Sequence, residues 1–438
     1  MKGPMFESRS YFRSLGLRSL GLALLALLLA SASANANGRP PAGLDIRVRS
    51  SHILVSTTFG IVQSQDNGGE WTWMCEASFG TGGVFDPDFE MSTRSAAIFT
   101  TAIEGMLVTR DGCVYEPSAL GERFISTIAQ ASNGDIFAAA SDGEGSKIYR
   151  STDDGVTFAQ ASNAFRNYDT WRGMEVAPSN PSRIYISGLR VVFGMPKQYL
   201  MYRSSDAGKT FTATPLTGFT GMSEETVIFI AGVSATNPDL VYARLTAVDG
   251  TKGEAIYRST NGGDSWTQIL TRTEPISFVV RRNGELIAGT DNSGTVRSTD
   301  GGTTFTAVDG APHLLCLYED AAGKLYGCTQ NYGGDAAAVM TSSDGLTWAK
   351  TVRFQDISAP TKCAAGTMQQ DYCVPVEWCG LKEQLGISST AIKCAPEAGG
   401  DGGCCDAKGS PSSSALLVMT FGVLVWFSLR RRSSKTRS

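Results

Sequence analysis

Histidine is nearly absent: His52 and His313 are the only two in 438 residues. A histidine-rich metal centre is thereby excluded, and a Ser-His-Asp triad would have to draw on one of this pair. Charged residues make up only 18% of the chain, and they are unevenly spread. Residues 1–36 carry a net +3 and residues 415–438 a net +5, so the body between them carries −12. An acidic body repels phosphate backbones, which argues against nucleic acid as a partner. No Gly-x-Ser-x-Gly, no His-Glu-x-x-His and no dinucleotide-binding glycine pattern occurs, so the usual hydrolase, zinc-protease and nicotinamide motifs are missing. Gly208-Lys209-Thr210 copies the end of a phosphate loop, but Arg203 stands where the earlier glycine is required. No cofactor and no metal site are expected.

Long apolar runs are also scarce, and the two that exist lie at the ends. Leu20–Ala30 follows a basic stretch and precedes the small-residue sites Ala32-Ser33-Ala34 and Ala34-Asn35-Ala36. Residues 1–36 therefore read as a secretory signal, and the run is too short to span a bilayer comfortably. Export would place the 10 cysteines in an oxidising compartment, where they should pair. Ala415–Leu429 is the second run, followed by Arg430-Arg431-Arg432 in a basic tail, 430–438. It is expected to be a transmembrane or sorting helix that leaves the body outside. Ahead of it lie a Gly-rich segment ending in Cys404-Cys405 and a polar spacer, 406–414. Cysteine, short helix and arginine cluster together resemble the C-terminal sorting tails of myxobacterial surface proteins. That resemblance implies processing at Cys404 or Cys405 and display on the cell surface. An ordinary single-pass anchor is the alternative.

What the chain has in plenty is glycine, 49 residues, and a motif that returns seven times. Each copy reads Ser/Thr-x-Asp, then Gly, then an aromatic residue. The acidic positions are Asp66, Asp111, Asp153, Asp206, Asn261, Asp300 and Asp344, spaced 45, 42, 53, 55, 39 and 44 apart. That interval is one four-stranded blade. A carboxylate can accept bonds from backbone N–H groups inside its own turn, and glycine supplies a positive φ without steric penalty. Asn261 keeps the acceptor, so its turn should survive. The second and seventh copies lack one residue between Asp and Gly, so their turns should be tighter. Between copies the chain reads as strands; in the sixth repeat Ile276–Arg281 and Glu285–Thr290 flank an Asn283-Gly284 hairpin turn.

These motifs resemble the Asp-boxes of the family that includes sialidases, sortilin-type receptors, xyloglucanases and photosystem II assembly factors. The resemblance implies an all-β, seven-bladed β-propeller over residues 44–354. Asp-boxes are structural turns in that family, so the likeness speaks for a fold and not for an activity. The sialidase Arg-Ile-Pro motif is missing, and only one propeller fits where xyloglucanases use two. No catalytic residues are therefore assigned. The competing reading is a sialidase-like glycoside hydrolase, resting on Glu175 with Arg172, Arg281 and Arg282 nearby.

In a propeller the boxes share one face, and the loops joining second to third strands share the other with the links between blades. Those loops and links carry Phe165, Tyr168, Trp171, Arg172, Phe193, Met195, Phe219 and Tyr332. This loop-rich face is the expected contact for a protein or glycan ligand. Among the cysteines, Cys316 and Cys328 flank a hairpin symmetrically and should bridge. Cys75 and Cys113 lie on neighbouring blades, where a bridge would join them. Cys363, Cys373, Cys379, Cys394, Cys404 and Cys405 are expected to staple a small module at 360–405, with 15 possible connectivities.

Overall fold

A computed structural model describes residues 39–394 except 82–84, 103–104, 142–144, 164 and 248–252. The proposed signal segment, Cys404, Cys405, the spacer, the apolar run 415–429 and the basic tail lie outside the described residues. Among the described residues no helix is long and apolar enough to cross a membrane.

Strand and turn signals alternate along the repeats, and each repeat closes on itself. In the sixth, Ile276–Val280 pairs with Leu286–Thr290. Their turn is closed by Gly284 N–H to Arg281 C=O at 2.9 Å, with Gly284 at φ 88°. Seven blades, each of four consecutive antiparallel strands, follow one another in this way. Their first strands are Gly43–Arg49, Phe89–Met91, Ile125–Gln130, Asp169–Val176, Thr226–Val233, Ile276–Val280 and Cys316–Glu319. Each of these touches the first strand of the next blade, and the seventh touches the first, so the ring closes around a central channel. The fold is an all-β, seven-bladed propeller. Its core lies between blades: buried residues of blades 3 and 4, for example, form one apolar cluster that includes Phe137, Ile148, Trp171 and Ile186.

Every Ser/Thr-x-Asp segment forms a turn between third and fourth strands. In blade 4, Ser204 Oγ donates to Asp206 at 2.8 Å and accepts from Gly208 N–H at 2.9 Å. Asp206 in turn accepts from Thr210 N–H at 2.9 Å and from the Thr210 hydroxyl at 2.6 Å. Asn261 keeps the acceptor bonds and uses its extra N–H on Ser265 Oγ at 3.0 Å. In the two shortened copies Gly112 and Gly345 bond back three residues, to Thr109 and Ser342, instead of four. These glycines also set the blade spacing. A Cβ on Gly155, at φ 76°, would meet the ring of Phe99 in the preceding blade at 2.2 Å.

Arginines of one blade reach the turn of the next. Arg203 donates to Gly262 C=O at 2.7 Å and Arg258 to Gly301 C=O at 2.7 Å. Arg281, with 6% of its surface exposed, bonds Glu285, Glu319 and the carbonyls of Gly323, Ser343 and Asp344. It joins blades 6 and 7, and does not line the channel as its neighbourhood to Glu175 in the sequence reading required.

Eight cysteines pair as Cys75–Cys373, Cys113–Cys363, Cys316–Cys328 and Cys379–Cys394. Four disulfides are the mark of a chain that folds outside a reducing cytosol. The hairpin bridge Cys316–Cys328 is as expected. The bridge between Cys75 and Cys113 does not form; of the described cysteines after blade 7, Cys379 and Cys394 pair with each other, while Cys363 and Cys373 bond to the propeller instead. The reason is topological: after blade 7 the chain returns to blade 1. There Ala359–Pro360 adds a fifth, parallel strand beside Thr72–Met74, bringing Cys363 and Cys373 to the two blade cysteines.

Candidate functional site

Two places on this scaffold collect functional groups: the loop-rich face and the channel. Antiparallel pairing puts the loops between second and third strands at the same end as the links between blades, opposite the Ser/Thr-x-Asp turns. Of the residues expected on that face, only some reach the surface. Phe193 is 104% exposed, Tyr168 67% and Tyr332 53%. Phe193 tips the loop between Ile184–Arg190 and Gln198–Ser204, with Val191 and Met195 exposed beside it. The loop is braced at its base. Arg190 grips Asp169 with two bonds of 2.5 and 2.9 Å, and Lys197 Nζ caps the carbonyls of Glu224 and Thr226. A turn from Met195 N–H to Val192 C=O at 3.0 Å shapes the tip.

Trp171, Phe219 and Phe165 are corrected to packing roles. Trp171 is 1% exposed and lies against Phe165 at 4.7 Å and Tyr202 at 5.9 Å between ring centroids. The link before blade 4 ends sooner than the residue types suggested. The strand begins at Asp169, and alternation sends Trp171 inward while leaving Arg172 exposed on the channel. Phe165 is half-buried within the same ring cluster, against Phe211 as well. Phe219 folds over Tyr257 and Trp266, at 4.3 and 5.2 Å. Tyr332 keeps its exposure, but its hydroxyl donates to Leu385 C=O at 3.2 Å, so the C-terminal segment reaches it.

The channel holds a cavity of about 940 Å³ lined by the first strands of blades 1 to 5. It gathers five carboxylates, Asp45, Asp86, Asp88, Glu90 and Glu175, with Arg47, Arg172 and Arg244; Asp86, at the edge, pairs with Arg39. Arg47 is the hub: its guanidinium lies 2.7 Å from Asp45, 3.8 Å from Asp88 and 4.0 Å from Glu90. Burial opposes the Arg47 charge, but the three carboxylates outweigh it and raise its pKa. Burial raises Asp88, partly offset by Arg47 and by the Ile128 N–H. Glu90 is pushed up to about 7, first by burial and then by Asp88, against the pull of Arg47. Glu175 also rises to about 7, from desolvation in the channel and then repulsion by Glu90, Asp88 and Asp45, again against Arg47. Its side chain is open to the lumen.

Sequence reading found Glu175 and Arg172 but missed the other four carboxylates. A signal was available. Asp45-x-Arg47-x-Arg49 in the first strand of blade 1, and Asp86-x-Asp88-x-Glu90 running into the first strand of blade 2, place charges at every second position, the period of one strand face. The two histidines lie elsewhere, His52 on Gln63 at 2.9 Å and His313 on Asp335 at 3.2 Å. Among the described residues no group of three or more His, Cys, Asp or Glu side chains is arranged to hold a metal ion.

The family model for sortilin and Vps10 proteins, described as "Sortilin, neurotensin receptor 3", matches residues 146–351. That stretch runs from blade 3 to the last strand of blade 7. Several solved structures align with the chain. The extracellular domain of a putative hybrid two component system from B. thetaiotaomicron is 14% identical, with a TM-score of 0.47 over 69% of this chain and 38% of that one. The GH74 xyloglucanase from Xanthomonas campestris is 14% identical, with a TM-score of 0.35 over 72% and 58%. YCF48 from Cyanidioschyzon merolae is 16% identical, with a TM-score of 0.40 over 60% and 83%. The chain thus spans well under half the length of the first of these. No curated protein matches it.

Proposed function

We propose that the protein is a non-enzymatic binding propeller of the Asp-box type, exported and held at the cell surface by its C-terminal segment. It engages a protein or glycan partner through its loop-rich face. The observation that carries this reading is the Phe193 loop: a fully exposed aromatic tip, with Val191 and Met195 exposed beside it, on a base braced by Arg190–Asp169 and Lys197. Large apolar side chains held rigidly in water are the usual anchors of an interface. Glycan-array binding by the full-length protein, run beside Phe193→Ser, tests it. Binding that survives the substitution removes the loop from the site.

A second reading has its own observation. Glu90 and Glu175 are pushed up to about 7 in a cavity they share with Asp45 and Asp88. A carboxyl kept protonated beside ionised ones is the arrangement glycoside hydrolases use for acid catalysis. Sugar release from an array-positive glycan, abolished by Glu175→Gln, would establish hydrolysis and replace the binding-only reading.

A further inference from the structure

A propeller must join its last blade to its first, and this one does so without a shared strand. Blade 7 is complete in itself, from Cys316–Glu319 to Ala349–Val352. Across the seam Ile46, Val48 and Val55 of blade 1 share one buried apolar cluster with Cys328, Ala338 and Val339 of blade 7, a cluster that also takes in Phe354, Cys373 and Trp378 beyond the last blade. Tyr318 OH reaches Val48 C=O at 3.4 Å, Arg47 lies over the Tyr318 ring, and Gly43 abuts Cys328.

The chain then continues past the seam and binds blade 1 densely. Phe354 packs edge-on against Phe59 at 5.0 Å. Ser358 N–H and Thr361 N–H donate to Trp71 C=O and Trp73 C=O at 2.8 and 2.7 Å, on either side of the added strand. Gln369 is fully buried. Its amide donates to Trp73 C=O at 2.9 Å and accepts from Cys75 N–H and Ser78 Oγ at 3.1 Å each. Trp378, on the helix Trp378–Leu385, stacks on Trp73 at 5.7 Å. Two disulfides complete the attachment. Cys75–Cys373 is wholly buried and spans 298 residues of chain; Cys113–Cys363 is partly exposed and spans 250. Tyr332 and Asn331 of blade 7 bond Leu385 and Gln355 of the same segment, so it holds both sides of the seam.

We infer that residues 354–394 are a clasp that keeps the propeller ring shut between blades 7 and 1, with Cys75–Cys373 as its lock and Cys113–Cys363 as an outer tie. The clasp replaces the shared strand by a fifth strand, a tryptophan pair and covalent bonds. Thiol–disulfide exchange with an external dithiol opens it. Each disulfide takes two electrons and two protons to become two thiols, and the dithiol closes to its cyclic disulfide. Exposure orders the steps, the outer tie before the lock.

Stepwise reduction of the full-length protein with dithiothreitol, followed by thiol alkylation, peptide mapping and hydrogen exchange, tests this. Cys113 and Cys363 are expected to alkylate first, leaving exchange in the seam strands Gly43–Arg49 and Cys316–Glu319 unchanged. Alkylation of Cys75 and Cys373 should then raise exchange there by about tenfold or more, with Asp169–Val176 and Thr226–Val233 still protected. A rise that is uniform over all blades, or that appears only once Cys316 and Cys328 react, overturns the clasp. A Trp378→Ala chain with all disulfides intact gives a second arm. It should raise seam exchange without affecting blades 4 and 5, and an unchanged seam counts against the inference.

Discussion

Carboxylates do opposite things in two parts of this molecule. On the turn face each aspartate is served by its own turn. Asp153 accepts from Thr157 N–H at 2.9 Å and from the Thr157 and Ser151 hydroxyls at 2.5 and 2.7 Å. Those donors, the Thr157 hydroxyl first, hold its pKa down to about 2, and Asp344 is lowered to about 2 in the same way by the Thr347 and Leu346 N–H groups. In the channel, five carboxylates line one cavity with Arg47, and Glu90 and Glu175 are driven up to about 7. Identical chemistry thus stabilises the ionised form where donors are local and penalises it where carboxylates converge. The turns are built to hold the fold. The channel keeps protonatable groups that no blade needs for its own pairing.

Removing a link in the inter-blade network should have the largest effect. Arg281→Met strips Glu319 of its cation and leaves Glu285 with Arg297 alone, and should lower unfolding free energy by about 3–5 kcal/mol in urea titration. Trp171→Ala should cost a similar ~3–5 kcal/mol by emptying the ring cluster with Phe165 and Tyr202, which would confirm its role in packing. A single turn is worth less. Ser204→Ala removes the hydroxyl that joins Asp206 to Gly208 N–H, and should cost about 1–2 kcal/mol without changing the m-value.

The pH dependence tests the contrast itself. Turn aspartates have folded pKa values below the ordinary 3.8, so their stabilisation is present above that value and is lost as pH falls through about 2. The channel glutamates have folded values above the ordinary 4.5, so their contribution is full below it and declines as pH rises through about 7. Thermal melts should therefore peak in mildly acidic buffer. Glu175→Gln should flatten the neutral limb and leave the acidic limb in place. Loss of both limbs together would erase the distinction. The smallest stability effect belongs to Phe193→Ser, within about 0.5 kcal/mol, because the side chain touches only water.

Legibility in the sequence followed the range of the interactions. The seven turns could be read residue by residue, down to the compensation at Asn261 and the tighter bonds at Gly112 and Gly345, because every partner lies within four positions. Cys316 and Cys328 were legible for the same reason, being opposite one another on a hairpin. Trp171 misled because its residue type suits a rim as well as a core, and a strand start two residues earlier decides between them. Cys75 and Cys113 misled because their partners lie more than 200 residues away, at a distance no local pattern encodes.

The sequence by itself therefore determined the blade, its number and its turns: a period near 44 residues and donors adjacent to acceptors suffice for that. Only the tertiary structure decided which aromatics stay in water, which carboxylates meet in the channel, and how the ring is fastened. Each of those depends on strands from different blades converging at one axis or one seam. Proximity of that kind is produced by closure of the whole ring and is written in no single repeat.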